Sequence, residues 1–241
     1  MTRNEFAVIT GTGVAGHFEL LGGQSVKTEY GTALAYRSQA GYFVLPRHGP
    51  GHKVPPHMIN YRANIAALER LGVRKVIGMS AVGTMTARLG VGQLGLVDQF
   101  LDFTKRRKDT FFEANVRHTD MSSPYSEGLN SALVDSARAL SMKLREHLVY
   151  VCAEGPRFET AAEIKMFRRL GGDVVGMTGV PEVVLAREKG LEYASVVVAT
   201  NWAAGMQAKV SHDEVLKEMK KSGGKAKKLI EVTIKRLGRR S

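Results

Sequence analysis

Short runs of apolar, β-branched residues recur along the chain, and stretches with helical spacing lie between several of them. The apolar runs occupy residues 6–10, 42–46, 75–80, 94–100, 148–153, 173–178 and 193–200. Continuous runs of this kind are typical of strands that are covered on both faces. Apolar residues recur at helical spacing in 58–71, 128–142, 159–170 and 181–189. The alternation predicts an α/β fold with a mixed, largely parallel central sheet flanked by helices.

Nothing in the sequence divides the 241 residues into smaller units. The chain has no internal repeat, no low-complexity linker and no break in composition, and 44% of its residues are hydrophobic, which allows a sizeable core. We therefore expect residues 1–241 to form a single domain. The stretch 104–127 is the longest without clear periodicity, and such segments are often functional or lie at interfaces.

The net charge of +12 is concentrated near the C-terminus, where Lys217–Ser241 holds ten Lys or Arg against two Glu. Apolar residues there have the spacing of one buried helical face: Leu216, Met219, Leu229, Ile230, Ile234 and Leu237. This predicts a basic C-terminal helix over about 211–238 whose lysines form the solvated face. No nucleic-acid motif accompanies the lysines, so a basic nucleic-acid-binding protein remains only as an alternative from another class.

Three features predict a cytoplasmic protein without a membrane partner. No run of 18 or more apolar residues is present, and the N-terminus lacks the order of a signal peptide. Cys152 is the single cysteine, which excludes an intrachain disulfide and makes a cysteine-based zinc site unexpected.

Polar side chains and glycines follow the apolar runs directly. They are Gly11, Thr12 and Gly13, then Arg47 and His48, Ser80, Glu154, Thr178, and finally Thr200 and Asn201. Ligands of open α/β sheets bind at the carboxyl ends of the strands, so these residues are expected to meet there. An arginine, a histidine, hydroxyls and exposed backbone amides are the groups that hold an oxyanion such as phosphate.

Each of these signals has a second interpretation. The "GTG" of 11–13 is a fragment of a dinucleotide fingerprint or a plain turn, and no Walker motif is present. Arg47 could form a structural ion pair instead of binding an anion. His48, His52 and His57 lie in a Gly- and Pro-rich stretch that cannot form a helical face, so we expect capping or substrate-contacting histidines and no metal site.

Glu154 and Glu159 flank the sequence "GPRF" and allow two uses. A pair of carboxylates can perform general acid–base catalysis, as in glycoside hydrolases. An ionised carboxylate also accepts hydrogen bonds only, so it selects a ligand that carries N–H donors. Phe158 could stack on a heteroaromatic ring or belong to the core, and Met177 could equally be a packing residue.

Taken together, these residues give the chain a resemblance to the trimeric branch of the purine nucleoside phosphorylase and methylthioadenosine phosphorylase family. The resemblance runs from about residue 6 to 235 and rests on "GTG" 11–13, "RHGPGH" 47–52, "INYRANIAALERLG" 59–72, "EGPRFETAAE" 154–163 and "VVGMTGVPEVVLAREKGLEYA" 174–194. One departure is Thr10, where family members usually have glycine.

The resemblance implies phosphorolysis, in which inorganic phosphate displaces a purine from C1′ of a nucleoside and gives a sugar 1-phosphate. It implies no metal and no organic cofactor, and a homotrimer or a hexamer of trimers. Phosphate would be bound by Thr12, Arg47, His48, Ser80, Ala81 and Thr178. Phe158 would stack on the base, Met177 would line the ribose, and His118 would reach into the site of a neighbouring subunit.

Three positions bear on which nucleoside is cleaved. Glu159 stands where the 6-oxopurine enzymes use a glutamate toward N1–H, and Asn201 replaces an aspartate of the adenine-selective branch. With His48 they are the expected catalytic residues, and they imply salvage of inosine and guanosine. His212 aligns with a histidine that contacts the 5′-hydroxyl. The sequence "NWAAG" at 201–205 instead resembles relatives that cleave methylthioinosine, so S-methyl-5′-thioinosine or S-methyl-5′-thioadenosine is the alternative substrate.

Overall fold

The computed structural model describes residues 5–13 and 15–238, so residues 1–4, 14 and 239–241 of the predicted domain lie outside the described part. The strands are β1 Phe6–Thr10, β2 Leu20–Thr28, β3 Gly31–Ser38, β4 Phe43–Pro46, β5 Lys75–Thr84, β6 Leu94–Phe103, β7 Leu144–Ala153, β8 Val174–Gly176 and β9 Glu192–Trp202. The α-helices are α1 Tyr61–Arg70, α2 Glu127–Ala139, α3 Ala161–Arg169, α4 Gly179–Glu188 and α5 His212–Leu237. Short 3₁₀ helices occupy Ala15–His17, Pro50–His52 and Pro56–Met58.

The strands form one mixed sheet in the order β2-β3-β4-β1-β5-β8-β7-β6-β9. β1 pairs in parallel with β4 and β5, β5 with β9, and β7 with both β6 and β8. The antiparallel pairs are β2 with β3, β3 with β4, β5 with β8, and β6 with β9. The predicted α/β fold with a mixed, largely parallel sheet is therefore confirmed.

The sheet differs from the expected open one because β5 also pairs with β9. β5, β8, β7, β6 and β9 consequently form a closed ring of strands. The remaining strands, β1, β4, β3 and β2, extend the sheet from β5 and end at an open edge. Strand length makes this possible. The first half of β5 pairs with β1, from Lys75 to Gly78, whereas Gly83 and Thr84 at its end pair with β8.

The hairpin of β2 and β3 was not predicted, because its sequence lacks a continuous apolar run. β2 reads "LLGGQSVKT", and of its residues only Val26 is buried. The turn is made by residues 29–30 and by Gly31, whose φ of 125° suits glycine. A strand that is exposed along most of its length does not carry the signal of a covered one.

Four of the helices begin where a polar side chain caps the first turn. Asn60, Ser126 and Ser211 accept a hydrogen bond from a backbone N–H of α1, α2 and α5 respectively. Thr160 and Glu163 form a reciprocal capping box at the start of α3. The stretches with helical spacing, 58–71 and 159–170, therefore begin three and two residues before the helices themselves.

Apolar clusters cover both faces of the sheet. α1 and α4 contribute Ile65, Leu68, Val183 and Leu185 to one cluster. α2 and α5 contribute Leu129, Leu133, Met219 and Leu229 to the other. Burial on both faces explains why the predicted strands read as continuous apolar runs.

The basic C-terminal helix is α5, and most of its lysines are exposed. Met219, Leu229, Ile230 and Ile234 are buried as predicted, but Leu216 is 38% exposed and was wrongly assigned to the buried face. Val215 takes that place, since it lies four residues before Met219 on the same side of the helix. None of the helices in the described part of the chain is long and apolar enough to cross a membrane.

Candidate active site

A cavity of about 300 Å³ opens where β1, β4, β5, β8 and β9 end. Its volume is at the lower end of the range for small-molecule sites. The predicted site residues that line it are Thr12, Arg47, His48, Ser80, Ala81, Phe158, Glu159, Met177, Thr178, Asn201 and His212. His118 does not line the cavity of its own chain and is exposed in the long irregular segment.

Arg47 both lines the cavity and forms a buried ion pair, so the two interpretations of this residue coexist. Its Nε and Nη2 donate to the two carboxylate oxygens of Glu182 at 2.9 and 2.7 Å. Nη1 donates to the carbonyl of Met79 at 2.7 Å and lies 3.4 Å from Ser80 Oγ. Burial opposes the charge of Arg47, but the Glu182 carboxylate outweighs it and raises the guanidinium pKa above its ordinary value.

A third buried residue completes this pair. The Tyr193 hydroxyl donates to Glu182 Oε1 at 2.6 Å. Gly78 makes room for it, because a Cβ at residue 78 would lie 2.0 Å from the Tyr193 hydroxyl oxygen. Neither Glu182 nor Tyr193 was predicted from sequence; Glu182 stood out only as an acidic residue in an otherwise apolar stretch of α4.

Two hydroxyls face each other beside Arg47. Ser80 Oγ and Thr178 Oγ1 are 3.4 Å apart, and both side chains are buried at the cavity wall. Thr178 is the N-cap residue of α4, but its side chain makes no capping bond. The hydroxyl groups and the guanidinium therefore converge on one end of the cavity, where an anion could be held by charge-assisted hydrogen bonds.

His48 is a neutral imidazole with a defined tautomer. Its Nδ1 lies 2.8 Å from the carbonyl of Val54, and because a carbonyl only accepts, Nδ1 carries the proton. Burial lowers the pKa of His48 to about 3 against the opposing effect of that hydrogen bond. Nε2 is thus left as a hydrogen-bond acceptor.

His52, one of the histidines for which capping or substrate contact was expected, lines the cavity. Its ring centroid lies 4.1 Å from that of His48, and its Nε2 lies 3.3 Å from Thr12 Oγ1. Burial, with His212 and Arg47 nearby, lowers its pKa. Within the described residues, no group of three or more His, Cys, Asp or Glu side chains is arranged to hold a metal ion.

The opposite end of the cavity carries Phe158 and Glu159. Phe158 is 36% exposed, which separates it from the core. Glu159 Oε1 is buried and has no hydrogen-bond partner, and burial raises the pKa of this carboxyl above its ordinary value. An unpaired buried acceptor costs free energy unless a ligand supplies a donor.

Glu154 does not share this position. It is absent from the cavity lining, and its Oε2 accepts a hydrogen bond from the backbone N–H of Lys105 at 2.7 Å. Both glutamates line a second pocket next to the cavity, but only Glu159 also lines the cavity itself. The position of Glu154 outside the cavity favours ligand recognition by Glu159 over an acid–base pair.

Asn201 lies near the end of β9, with its side chain buried at the cavity wall. The Thr200 hydroxyl donates to its Oδ1 at 2.8 Å, and its Nδ2 donates to the carbonyl of Trp202 at 2.9 Å. An amide nitrogen has two hydrogens, so one N–H remains for a ligand.

The residues after Asn201 connect β9 to the start of α5. Gln207 accepts from the backbone N–H of Trp202 and donates to Glu214 in the first turn of α5. Ala203 and Ala204 line the cavity, as do Val210 and Val215 on either side of His212. Of the segment 202–205, which had no predicted role of its own, Ala203 and Ala204 therefore form part of the cavity wall together with His212.

The irregular segment 104–127 is anchored by Arg107, another residue that was not predicted. Its guanidinium donates to the carbonyls of Val180 and Glu154 and to the hydroxyl of Tyr61. These contacts fix the first part of the segment beneath the site, whereas His118 farther along remains exposed.

The chain matches the family model described as the phosphorylase superfamily over residues 5–235. A protein of Moorella thermoacetica named "Probable 6-oxopurine nucleoside phosphorylase" is 47% identical over 93% of this chain and 90% of its own length. A Methanopyrus kandleri protein named "Probable S-methyl-5'-thioinosine phosphorylase" is 46% identical over 86% of this chain and 83% of its own length.

A solved structure agrees with these matches. Methylthioadenosine phosphorylase from Schistosoma mansoni, in complex with adenine, superimposes with a TM-score of 0.91 at 31% identity, covering 97% of this chain and 92% of that one. The matches extend over nearly the whole described chain and agree with the motifs found in the sequence. The protein therefore belongs to the phosphorylase superfamily and is a nucleoside phosphorylase.

Proposed function

We propose that the protein cleaves 6-oxopurine nucleosides, inosine and guanosine, with inorganic phosphate to give the free base and ribose 1-phosphate. The observation that carries the proposal is the buried, unpaired Oε1 of Glu159. Hypoxanthine and guanine present an N1–H donor on the edge that a carboxylate can bind, whereas adenine has an acceptor at N1. The names of relatives such as the Moorella protein support the same substrate class.

In the proposed reaction a phosphate oxygen forms a bond to C1′ while the bond from C1′ to N9 breaks and its electron pair moves onto the purine. The free N–H of Asn201 would donate to N7, where negative charge accumulates, and the departing base ends with the proton that the hydrogen phosphate gives up on becoming the sugar phosphate. A donor fixed before the reaction stabilises the transition state without reorganisation. Asn201, Glu159 and His48 are the residues to which we assign direct roles in this step.

Phosphate would occupy the end of the cavity formed by Arg47, Ser80 and Thr178, with Thr12 and the Ala81 amide completing the site. His48 would accept a hydrogen bond at Nε2 from a protonated phosphate oxygen, because its Nδ1 proton is already donated to Val54. Phe158 would stack on the base and Met177 would line the ribose. The proposal requires phosphate as co-substrate and neither a metal nor an organic cofactor.

A second candidate substrate is S-methyl-5′-thioinosine. Val210, Val215 and Ala204 give the wall around His212 an apolar character that could accept a methylthio group. The Methanopyrus relative is named for that activity. His212 itself favours a 5′-hydroxyl, so we place the ordinary nucleosides first.

The decisive experiment is a substrate panel with and without phosphate. Inosine, guanosine, adenosine and the two methylthio nucleosides are compared by kcat/KM. We expect phosphate-dependent cleavage with inosine and guanosine ahead of adenosine. A preference for adenosine would refute the roles of Glu159 and Asn201, and cleavage without phosphate would indicate a hydrolase.

We further infer a cytoplasmic homotrimer, or a hexamer of trimers, in which His118 of one copy completes the site of the next. The observation behind this is that His118 is exposed and far along the segment from its Arg107 anchor. Light scattering gives the subunit number. If His118→Ala is inactive alone but regains activity when mixed and reassembled with an Asn201→Ala chain, the two residues act from different copies.

A further inference from the structure

The guanidinium of Arg47 has most of its hydrogen-bonding capacity committed away from the cavity. A guanidinium has five N–H donors in a rigid plane. Glu182 takes one from Nε and one from Nη2, and the carbonyl of Met79 takes one from Nη1. The second N–H of Nη1 points at Ser80 Oγ, 3.4 Å away in a long hydrogen bond, and one N–H on Nη2 is left.

Glu182 does not touch the cavity, so any effect it has on a ligand passes through Arg47. The side chains of Arg47 and Glu182 are 0% and 1% exposed. A buried carboxylate is tolerated only when its partners satisfy it, and here Arg47 supplies two hydrogen bonds and Tyr193 a third. The hydrogen bond from Tyr193 to Oε1 also restrains rotation of the Glu182 carboxylate about its Cγ–Cδ bond.

Two glycines clear the space that this arrangement needs. A Cβ on Gly11 would lie 2.8 Å from Arg47 Nη1 and 3.1 Å from the carbonyl of Met79. A Cβ on Gly78 would collide with the Tyr193 hydroxyl and lie 3.2 Å from Glu182 Oε1. The backbone therefore lies close to both side chains of the ion pair, at Gly11 and at Gly78, and restricts the movement of the guanidinium.

We propose that Glu182 is a positioning residue for phosphate and that Tyr193 locks it in place. Their hydrogen bonds set the plane of the Arg47 guanidinium so that its Nη1 points at the hydroxyl of Ser80, which lies 3.4 Å from that of Thr178, and the free N–H of Nη2 keeps a fixed direction. Since Glu182 also balances the charge of Arg47, binding of the anion depends on the direction of these donors more than on an excess of positive charge. This inference rests on the proposed phosphorolysis.

The test compares Glu182→Gln and Tyr193→Phe with the matched control Glu192→Gln. Glu192 begins the strand that carries Tyr193, pairs with Lys75 and accepts from Ser126, and it does not line the cavity. KM for phosphate and KM for inosine are measured separately, and the shift in Tm that phosphate alone produces is recorded for each folded protein.

Glu182→Gln should raise KM for phosphate at least about tenfold while KM for inosine stays within about twofold, because one charge-assisted hydrogen bond is replaced by a facing donor. Tyr193→Phe should raise KM for phosphate about threefold, since it keeps the ion pair and frees the carboxylate to rotate. Both should reduce the phosphate-induced shift in Tm, and Glu192→Gln should change neither quantity.

The proposal is overturned if KM for phosphate is unchanged in the folded variants, or if the KM values for phosphate and inosine rise by the same factor. If Glu182→Gln does not fold, Tyr193→Phe decides alone, because it removes a single hydroxyl. A wild-type protein that shows no phosphate-dependent cleavage would refute the proposed function instead, and the Tm shifts with phosphate would still test the positioning role.

Discussion

The hydroxyl of Thr200 lies 2.8 Å from Oδ1 of Asn201 and donates to it, which helps to hold the amide in place. On the other side, the carbonyl of Trp202 accepts from Nδ2 at 2.9 Å. Exchanging oxygen and nitrogen would set the Asn201 oxygen against the Trp202 carbonyl oxygen and leave two acceptors facing each other. The carbonyl of Trp202 therefore determines the orientation of the amide and with it the remaining N–H donor, because a carbonyl only accepts whereas the Thr200 hydroxyl can donate or accept.

Replacing Asn201 with alanine should lower kcat/KM for inosine by about 10²-fold or more, the usual scale for losing a donor aimed at transition-state charge. Thr200→Val, which removes only the hydroxyl that helps to hold the amide, should cause a smaller loss in the same direction. Steady-state kinetics at saturating phosphate measures both. An Asn201→Ala enzyme as active as the wild type would exclude a role for the amide at N7.

Glu159→Gln should reduce kcat/KM for inosine and guanosine about 10- to 100-fold and change adenosine much less. The glutamine amide can turn a donor toward an acceptor at N1, whereas the carboxylate accepts only. Glu154→Gln is the matched control, since Glu154 carries the same charge but does not line the cavity. Equal losses for inosine and adenosine would mean that Glu159 does not read the N1 position.

The acid side of the pH profile should report Glu159 as well. Burial raises the pKa of this carboxyl, so in the free enzyme it gains a proton at a higher pH than an ordinary glutamate does. kcat/KM for inosine should therefore fall as the pH drops through that raised pKa, because the protonated form has lost its charge. The fall should be missing in Glu159→Gln, and its persistence there would assign it to another group.

Much of the candidate site could be predicted from the sequence because its side chains directly follow covered strands. Arg47, Ser80 and Asn201 stand at or just after the ends of apolar runs, and parallel strands bring such ends together. Phe158 and Glu159 each allowed two interpretations, and the resemblance to the family chose between them, because these residues lie in a loop whose position no periodicity reveals.

The network behind Arg47 could not be predicted in this way. Arg47 and Glu182 are 135 positions apart, and Glu182 lies on a helix whose apolar pattern says nothing of its partner. Tyr193 likewise reads as the first apolar residue of a strand. Which distant residues meet depends on the spatial order of the strands in the sheet. The pairing of β5 with β9, which brings Tyr193 next to Gly78, has no local signal in the sequence.

His48 should make the protein less stable as the pH falls below about 6.5. Its pKa is about 3 in the folded protein and about 6.5 in the unfolded chain, so between these pH values the imidazole is protonated only when the chain is unfolded. The free energy of unfolding should therefore drop by about 1.4 kcal/mol for each pH unit between these values. Urea unfolding at pH 7 and 5.5 in phosphate-free buffer measures the change, and His48→Asn should lose about 1 kcal/mol less than the wild type. If the wild type and His48→Asn lost the same free energy of unfolding, a group other than His48 would be the one that gains the proton on unfolding.

His212→Val should shift preference from inosine toward S-methyl-5′-thioinosine. The imidazole offers a hydrogen bond to a 5′-hydroxyl, and valine would join Val210 and Val215 in an apolar wall. We expect the ratio of kcat/KM values for the two substrates to change about 10- to 200-fold, the range for gaining or losing such a contact. His17→Val serves as the control, because His17 does not line this cavity. An unchanged ratio would remove His212 from the 5′ site.

Gly78→Ala should destabilise the protein through the network behind Arg47. The new Cβ would lie 2.0 Å from the Tyr193 hydroxyl oxygen, so Tyr193 must move and its bond to Glu182 must break. A disturbed buried ion pair costs about 3 kcal/mol or more in the free energy of unfolding. Gly22→Ala is the matched control, because a Cβ there meets nothing within 4 Å and should change stability by less than about 1 kcal/mol.

Adding Tyr193→Phe to Gly78→Ala removes the colliding oxygen, so the double variant should lose less free energy of unfolding than the sum of the single losses. Strict additivity, measured by urea unfolding, would show that residue 78 acts independently of Tyr193.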